Sequence, residues 1–286
     1  MDQRIIDLYD DFIHSHLDRR LFLERLAKIV GSTAAAVALL SQLRSNYAVA
    51  QTVPETDPRL KIDDVTYPGS QGPVRGYVAW PAAATRAPGV VVIHENRGLH
   101  PHIKDVARRL AIAGYVALAP DLLSAIGGTP ANEDAALAKF PQIREAPFAL
   151  ADALKSIEYL RGRPDATGKI GVVGFCWGGG IVGQIAASGA DIKAAVVFYG
   201  PAPALDKVPA IRTPLLLHYA GNDGFVNPSV PPFEAALKAA GKTYALHMYE
   251  GVQHAFHNDT GGARYDAAAA KLAWNRTIEF FDKALR

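Results

Sequence analysis

Gly174-Phe175-Cys176-Trp177-Gly178-Gly179-Gly180 decides the reading of this chain. Before it stands Lys169–Phe175, an apolar, β-branched run that predicts a buried strand. After it, Gly179–Ser188 reads as a helix. A small residue two places before Cys176 and another two places after let strand and helix approach closely around a sharp turn. This is the nucleophile-elbow pattern, with cysteine at the nucleophile position. The helix N-terminus aims free amides at the sulfur and favours thiolate. The backbone amide of Trp177 is then placed to donate to an oxyanion. The spacing fits neither GxGxxG nor a P-loop, and no lysine follows, so the glycines do not form a phosphate loop of either kind.

Outward from the elbow, strands alternate with helices. Asp63–Tyr67 and Val74–Trp80 read as a hairpin around Pro68-Gly69-Ser70-Gln71-Gly72. Gly89–His94, Tyr115–Ala119, Ala194–Phe198, Leu215–Tyr219 and Thr243–Tyr249 read as further strands. His102–Ala113, Phe148–Arg161, Pro232–Ala240 and Ala263–Leu285 read as helices. The pattern predicts an α/β fold, a mostly parallel sheet with helices on both faces. Leu122–Pro147 is irregular and forms a candidate rim over a site.

An elbow of this kind predicts an acid and then a histidine, each just past a later strand. Asp223 stands in Gly221-Asn222-Asp223-Gly224 and His254 in Gln253-His254-Ala255-Phe256. His254 would take the thiol proton or hold the thiolate as an ion pair, and would later activate water, while Asp223 fixes its tautomer. His94-Glu95-Asn96-Arg97 ends the first parallel strand, where a second oxyanion donor belongs, and the amide of Asn96 is the candidate. Trp177 and Phe256 suggest an apolar wall, with His257 and Leu122 beside it.

With 286 residues, 49% of them hydrophobic, the chain can bury one large domain plus an appendage. Thirty basic against 28 acidic residues give no electrostatic case for a nucleic-acid partner. Cys176 is the only cysteine, so no intrachain disulfide forms. The nine histidines show no metal-finger spacing, and no metal or other cofactor is expected.

Residues 1–58 differ from the catalytic domain at 59–286. Asp18-Arg19-Arg20-Leu21-Phe22-Leu23, the mildly apolar Ile29–Leu43 and Ala48-Val49-Ala50 resemble a twin-arginine export signal, although the leading region is net acidic. The apolar run is too short for a membrane span. The other reading is a helical arm, with Leu8, Phe12, Leu17, Leu21, Leu23 and Leu26 packing on the catalytic domain or on a second subunit. The first reading implies a periplasmic protein, the second a cytoplasmic one.

From Asp63 onward the chain resembles the dienelactone hydrolases (carboxymethylenebutenolidases) of the α/β-hydrolase superfamily. The shared elements are His94-Glu95, Ala119-Pro120-Asp121-Leu122, Gly174–Gly179, Tyr199-Gly200, Asp223 and His254-Ala255-Phe256. The resemblance implies a metal-free Cys–His–Asp triad of Cys176, His254 and Asp223. It also implies that Glu95 contacts the resting thiol; the alternative is a buried salt bridge of Glu95 with Arg97. Two substrate-binding arginines of the family are replaced by Ser124-Ala125-Ile126 and His257-Asn258, unless Arg97 grips a carboxylate instead. The expected substrate is a small ester or lactone. A haloacid dehalogenase or thioesterase on the same scaffold, and a non-catalytic thiol sensor, are the rival readings.

Overall fold

The computed structural model describes residues 1–14, 17–46 and 52–286. The eight strands described are β1 (Leu60–Pro68), β2 (Pro73–Pro81), β3 (Ala87–Ile93), β4 (Val116–Pro120), β5 (Ala166–Phe175), β6 (Ala194–Phe198), β7 (Leu215–Asn222) and β8 (Tyr244–Gln253). They form one sheet in the order β1-β2-β4-β3-β5-β6-β7-β8. β1 pairs antiparallel with β2 and β2 antiparallel with β4; all later pairings are parallel. This is the mostly parallel α/β sheet that the alternating pattern predicts. Val90, Val91, Val92 and Ile93 of β3 are fully buried, as expected where helices cover both faces.

The helices are α1 (Gln3–His14), α2 (Arg19–Val30), α3 (Thr33–Leu43), α4 (Pro101–Ile112), α5 (Glu133–Lys139), α6 (Pro147–Gly162), α7 (Trp177–Ala187), α8 (Val230–Ala239) and α9 (Ala267–Leu285). Several boundaries differ from the sequence expectation, and two of the differences have clear local reasons. α7 starts directly after Cys176, because the turn itself supplies the first helical amides. α9 starts four residues late, after a short 3-10 turn at Gly262–Arg264, where Asp266 caps the amide of Ala269. The irregular stretch 122–147 holds two 3-10 turns and α5, capped by Asn132.

Helices α1–α3 bury a small cluster of their own, including Tyr9, Ile13, Phe22, Leu26 and Leu40, separate from the main core. Asp18 caps α2 by accepting from the amides of Arg20 and Leu21, so the arginine pair opens a helix. Arg19 pairs with Asp134 at 3.1 Å and Arg20 lies near Glu24 at 3.6 Å. The leucine spacing is only partly the packing face: Leu21 is 36% exposed, while Ile5, Ile6, Tyr9 and Ile13 are buried along α1. Gly31 in the left-handed region (φ 88°) and the Ser32 cap divide the apolar run 29–43 between two helices. No described helix is long and apolar enough to cross a membrane. The Ala48-Val49-Ala50 pattern lies outside the described residues.

Candidate active site

Cys176 sits between β5 and α7 with φ 54° and ψ −120°, a conformation that L side chains rarely adopt. Holding a non-glycine residue there costs about 1–3 kcal/mol. The turn is locked from both sides: the Cys176 amide donates to Phe198 O at 3.0 Å, and its carbonyl accepts from Gly180 at 3.2 Å. The flanking glycines are sterically required. A Cβ on Gly174 would lie 2.2 Å from Gly178 O, and one on Gly178 would lie 2.4 Å from His94 O. The second figure also brings the end of β3 against the start of α7. The chain that leads from β3 into Asn96 therefore passes against the first turn of α7.

Asp223 follows β7 and His254 follows β8, and the two side chains meet: His254 Nδ1 lies 2.6 Å from Asp223 Oδ2. Asp223 Oδ1 accepts from the amides of Val226 at 2.9 Å and Phe225 at 3.2 Å. Burial alone would raise the Asp223 carboxyl, but His254 and these amides outweigh it and hold it below its usual value. Burial likewise disfavours charge on His254, yet the Asp223 carboxylate and the Cys176 sulfur overcome it and hold the imidazole well above its usual value. His254 is 1% exposed, and its Nε2 is buried with no hydrogen-bond partner among the described residues.

The thiol is instead engaged by a residue of α1. His14 Nε2 lies 3.3 Å from Cys176 Sγ, and His14 Nδ1 lies 3.0 Å from Asp10 O. A carbonyl only accepts, so Nδ1 carries the hydrogen and Nε2 faces the sulfur. The His14 ring stacks on Phe225 at 4.5 Å and meets His254 edge-on at 4.5 Å. Burial, followed by the charges of His254 and Arg264, holds His14 well below the usual histidine value. Cys176 is left only 4% exposed. Helix α1 is tied down by polar contacts: Arg97 donates to Tyr9 at 3.1 Å, Asn96 Nδ2 to Ile13 O at 2.9 Å and Arg144 to His14 O at 3.3 Å. Arg264 lies 3.5 Å from Asp10 and over the Tyr9 ring at 5.0 Å. A cavity of about 380 Å³ opens beside these contacts, lined by Phe12, Ile13, His14, Leu17, Phe140 and Arg144 among others.

Several sequence expectations need correction. The hydrogen bonds described for Glu95 do not reach the thiol. Its Oε2 accepts from Asn258 Nδ2 at 2.8 Å and lies 3.4 Å from His100 Nε2. Asn258 thus stands where a family arginine was expected and reaches Glu95. Burial opposes the Glu95 charge, but the hydrogen bond from His100 and the nearby positive charge of Arg264 hold its carboxyl far below the usual range. Arg97 does not pair with Glu95; its Nε lies 2.6 Å from Glu133 Oε1. That contact and Tyr9 occupy the guanidinium and leave it poorly placed as a substitute carboxylate clamp. Phe256 is fully buried against Tyr199 and Tyr249, because left-handed Ala255 (φ 65°) turns the chain inward after His254. His257 stacks on Phe175 at 5.2 Å, and Leu122 is fully buried with its amide 3.1 Å from His94 Nε2. All three make core contacts and none lines the cavity beside His14. Trp177 packs on His94 and Phe140, with its indole donating to Arg144 O at 3.1 Å.

Comparison with known proteins agrees with this architecture. The sequence profile of the dienelactone hydrolase family matches residues 74–285, and a second profile, YqhI-like, matches residues 1–31. A Methylorubrum extorquens protein named "Putative carboxymethylenebutenolidase" is 33% identical over 274 residues, 91% of this chain and 92% of its own. A crystal structure described as "Putative Dienelactone Hydrolase" from Klebsiella pneumoniae superposes with a TM-score of 0.69 at 28% identity, covering 78% of this chain and 99% of that one. The dienelactone hydrolase of Anabaena variabilis shares the fold, with a TM-score of 0.62 at 21% identity over 80% of this chain and all of that one. The chain therefore belongs to the dienelactone hydrolase family and is a hydrolase of the α/β-hydrolase fold.

Proposed function

We propose that this hydrolase cleaves small, uncharged esters or lactones through a thioester on Cys176. The observation that carries the reading is the strained backbone at Cys176 (φ 54°), held at the strand–helix junction beside the His254–Asp223 pair. His254 Nε2 takes the thiol proton, or already holds it opposite the thiolate, as Sγ attacks the carbonyl carbon. The amides of Trp177 and Asn96 stabilise the oxyanion. Collapse breaks the C–O bond, and the alcohol leaves with the proton from His254. Water then gives a proton to His254 and attacks the thioester; the acid departs and Sγ regains its proton. Asp223 keeps Nδ1 protonated throughout and stabilises the imidazolium.

The preference for uncharged substrates follows from the occupied Arg97 and from Asn258, which donates to Glu95. Helices α1–α3 act as a helical cover belonging to residues 1–58. With His14 against the sulfur, an ester reaches the thiol only after α1 shifts. A panel of aryl esters and lactones, assayed with wild type and Cys176→Ala, tests the reading. Turnover of uncharged esters that disappears in the variant supports it; turnover that survives in Cys176→Ala refutes it.

A further inference from the structure

We infer that helix α1 completes a site for a borderline-soft divalent metal of the zinc class, with His14, Cys176 and His254 as ligands. The donor atoms of these three buried residues all lie within 4.8 Å of one another. A tetrahedral zinc ion with ordinary bond lengths holds nitrogen and sulfur donors about 3.3–3.5 Å apart. His14 Nε2 and Cys176 Sγ already stand at 3.3 Å. The His254 donor lies within 4.8 Å of both, so a shift of at most about 1.5 Å closes the set.

Both imidazoles are oriented as metal-bound histidines are. His14 Nδ1 is fixed on Asp10 O at 3.0 Å and His254 Nδ1 on Asp223 Oδ2 at 2.6 Å. A carbonyl or carboxylate on the far nitrogen fixes the tautomer and directs the other lone pair at the metal. His254 Nε2 is buried and turned to the Cys176 sulfur, yet makes no well-formed hydrogen bond among the described residues. His14 Nε2 and His254 Nε2 converge on one sulfur, and a cation that displaces the single proton shared by thiol and imidazole engages both nitrogens and the sulfur together. An N₂S set suits zinc-class ions over calcium or magnesium, and three protein ligands leave a fourth position for water.

Capture is stoichiometrically simple. Whether the resting pair is thiol and imidazole or thiolate and imidazolium, the ion displaces one proton in forming S–metal and N–metal bonds. The ion would take both Sγ and the His254 nitrogen that the reaction needs as nucleophile and base, so occupancy holds the enzyme inactive until the ion leaves or α1 withdraws. The three donors hold an ion whether or not Cys176 is the hydrolytic nucleophile, so failure of one reading does not sink the other.

The test titrates the chelator-stripped full chain with Co²⁺, followed by Zn²⁺ competition. Expected are one ion per chain, a thiolate-to-cobalt band in the near ultraviolet and release of one proton. His14→Ala should weaken binding by at least about 100-fold. A wild-type protein without the band overturns the inference. So does equal affinity in wild type and His14→Ala.

Discussion

Tyr9→Phe removes one oxygen from the contact between α1 and the catalytic domain. The Tyr9 hydroxyl accepts from Arg97 at 3.1 Å, and the ring, which the variant keeps, lies under Arg264 at 5.0 Å. Both Tyr9 and Arg97 are buried, so water does not readily replace the lost acceptor. A hydrogen bond to a charged group contributes about 1.5–3 kcal/mol. Taking about 2 kcal/mol, the open arrangement of α1 gains about thirtyfold in population. If access to Cys176 requires that opening, apparent affinity is reduced by the small open fraction. The variant should then raise kcat/KM on a small aryl ester by up to about thirtyfold. Amide exchange in α1 should accelerate by a similar factor, and so should alkylation of Cys176 by iodoacetamide. Faster exchange with unchanged or lower kcat/KM would refute the covering role of α1.

Asp223→Asn keeps the shape of the turn but removes the charge that holds His254 Nδ1 at 2.6 Å. An amide can present its NH₂ to Nδ1 and impose the wrong tautomer, so kcat should fall by about 10³–10⁴. A fall below tenfold in steady-state ester hydrolysis would contradict the assigned role. Stability should also decline on the acid side of neutrality. Burial is the largest factor holding His14, His94, His100, His218 and His257 below their usual value. Each stays neutral in the fold while its unfolded counterpart protonates near about pH 6.5. Their contribution is therefore present above that pH and is lost as pH falls, by up to about 1.4 kcal/mol per unit for each. His254 has the opposite sign, because its raised value favours the fold below about 6.5 and that benefit is lost as pH rises through it. Five groups outweigh one, so the urea midpoint at pH 5.5 should lie below that at pH 7.5, and a higher midpoint would be incompatible with this balance.

The parts of the site that could be read in the sequence are those fixed by local geometry. The elbow is legible because close approach of strand and helix demands glycine at 174 and 178 and leaves a short pattern. Asp223 and His254 are legible because each stands just past an apolar strand of a parallel sheet. Glu95 is different: its carboxylate depends on Asn258, 163 positions away, and no local pattern shows that pairing. His14 is separated from Cys176 by 162 positions and closes an amphipathic helix with an ordinary periodicity. No residue type signals its role, because His14 Nδ1 is fixed by a main-chain carbonyl, that of Asp10 one helical turn earlier. Phe256 follows the candidate base directly and invites a place in the pocket wall. The left-handed backbone of Ala255 sends it into the core instead.

The central claim is that Cys176 carries the acyl group, and intact-mass spectrometry of rapidly quenched reactions with an aryl acetate tests it most directly. The account predicts a burst of phenol equal to the enzyme concentration and one acetyl group, labile to hydroxylamine, mapped to Cys176. Neither should occur in Cys176→Ala. Turnover with no acyl adduct on Cys176, or undiminished turnover in Cys176→Ala, would contradict it.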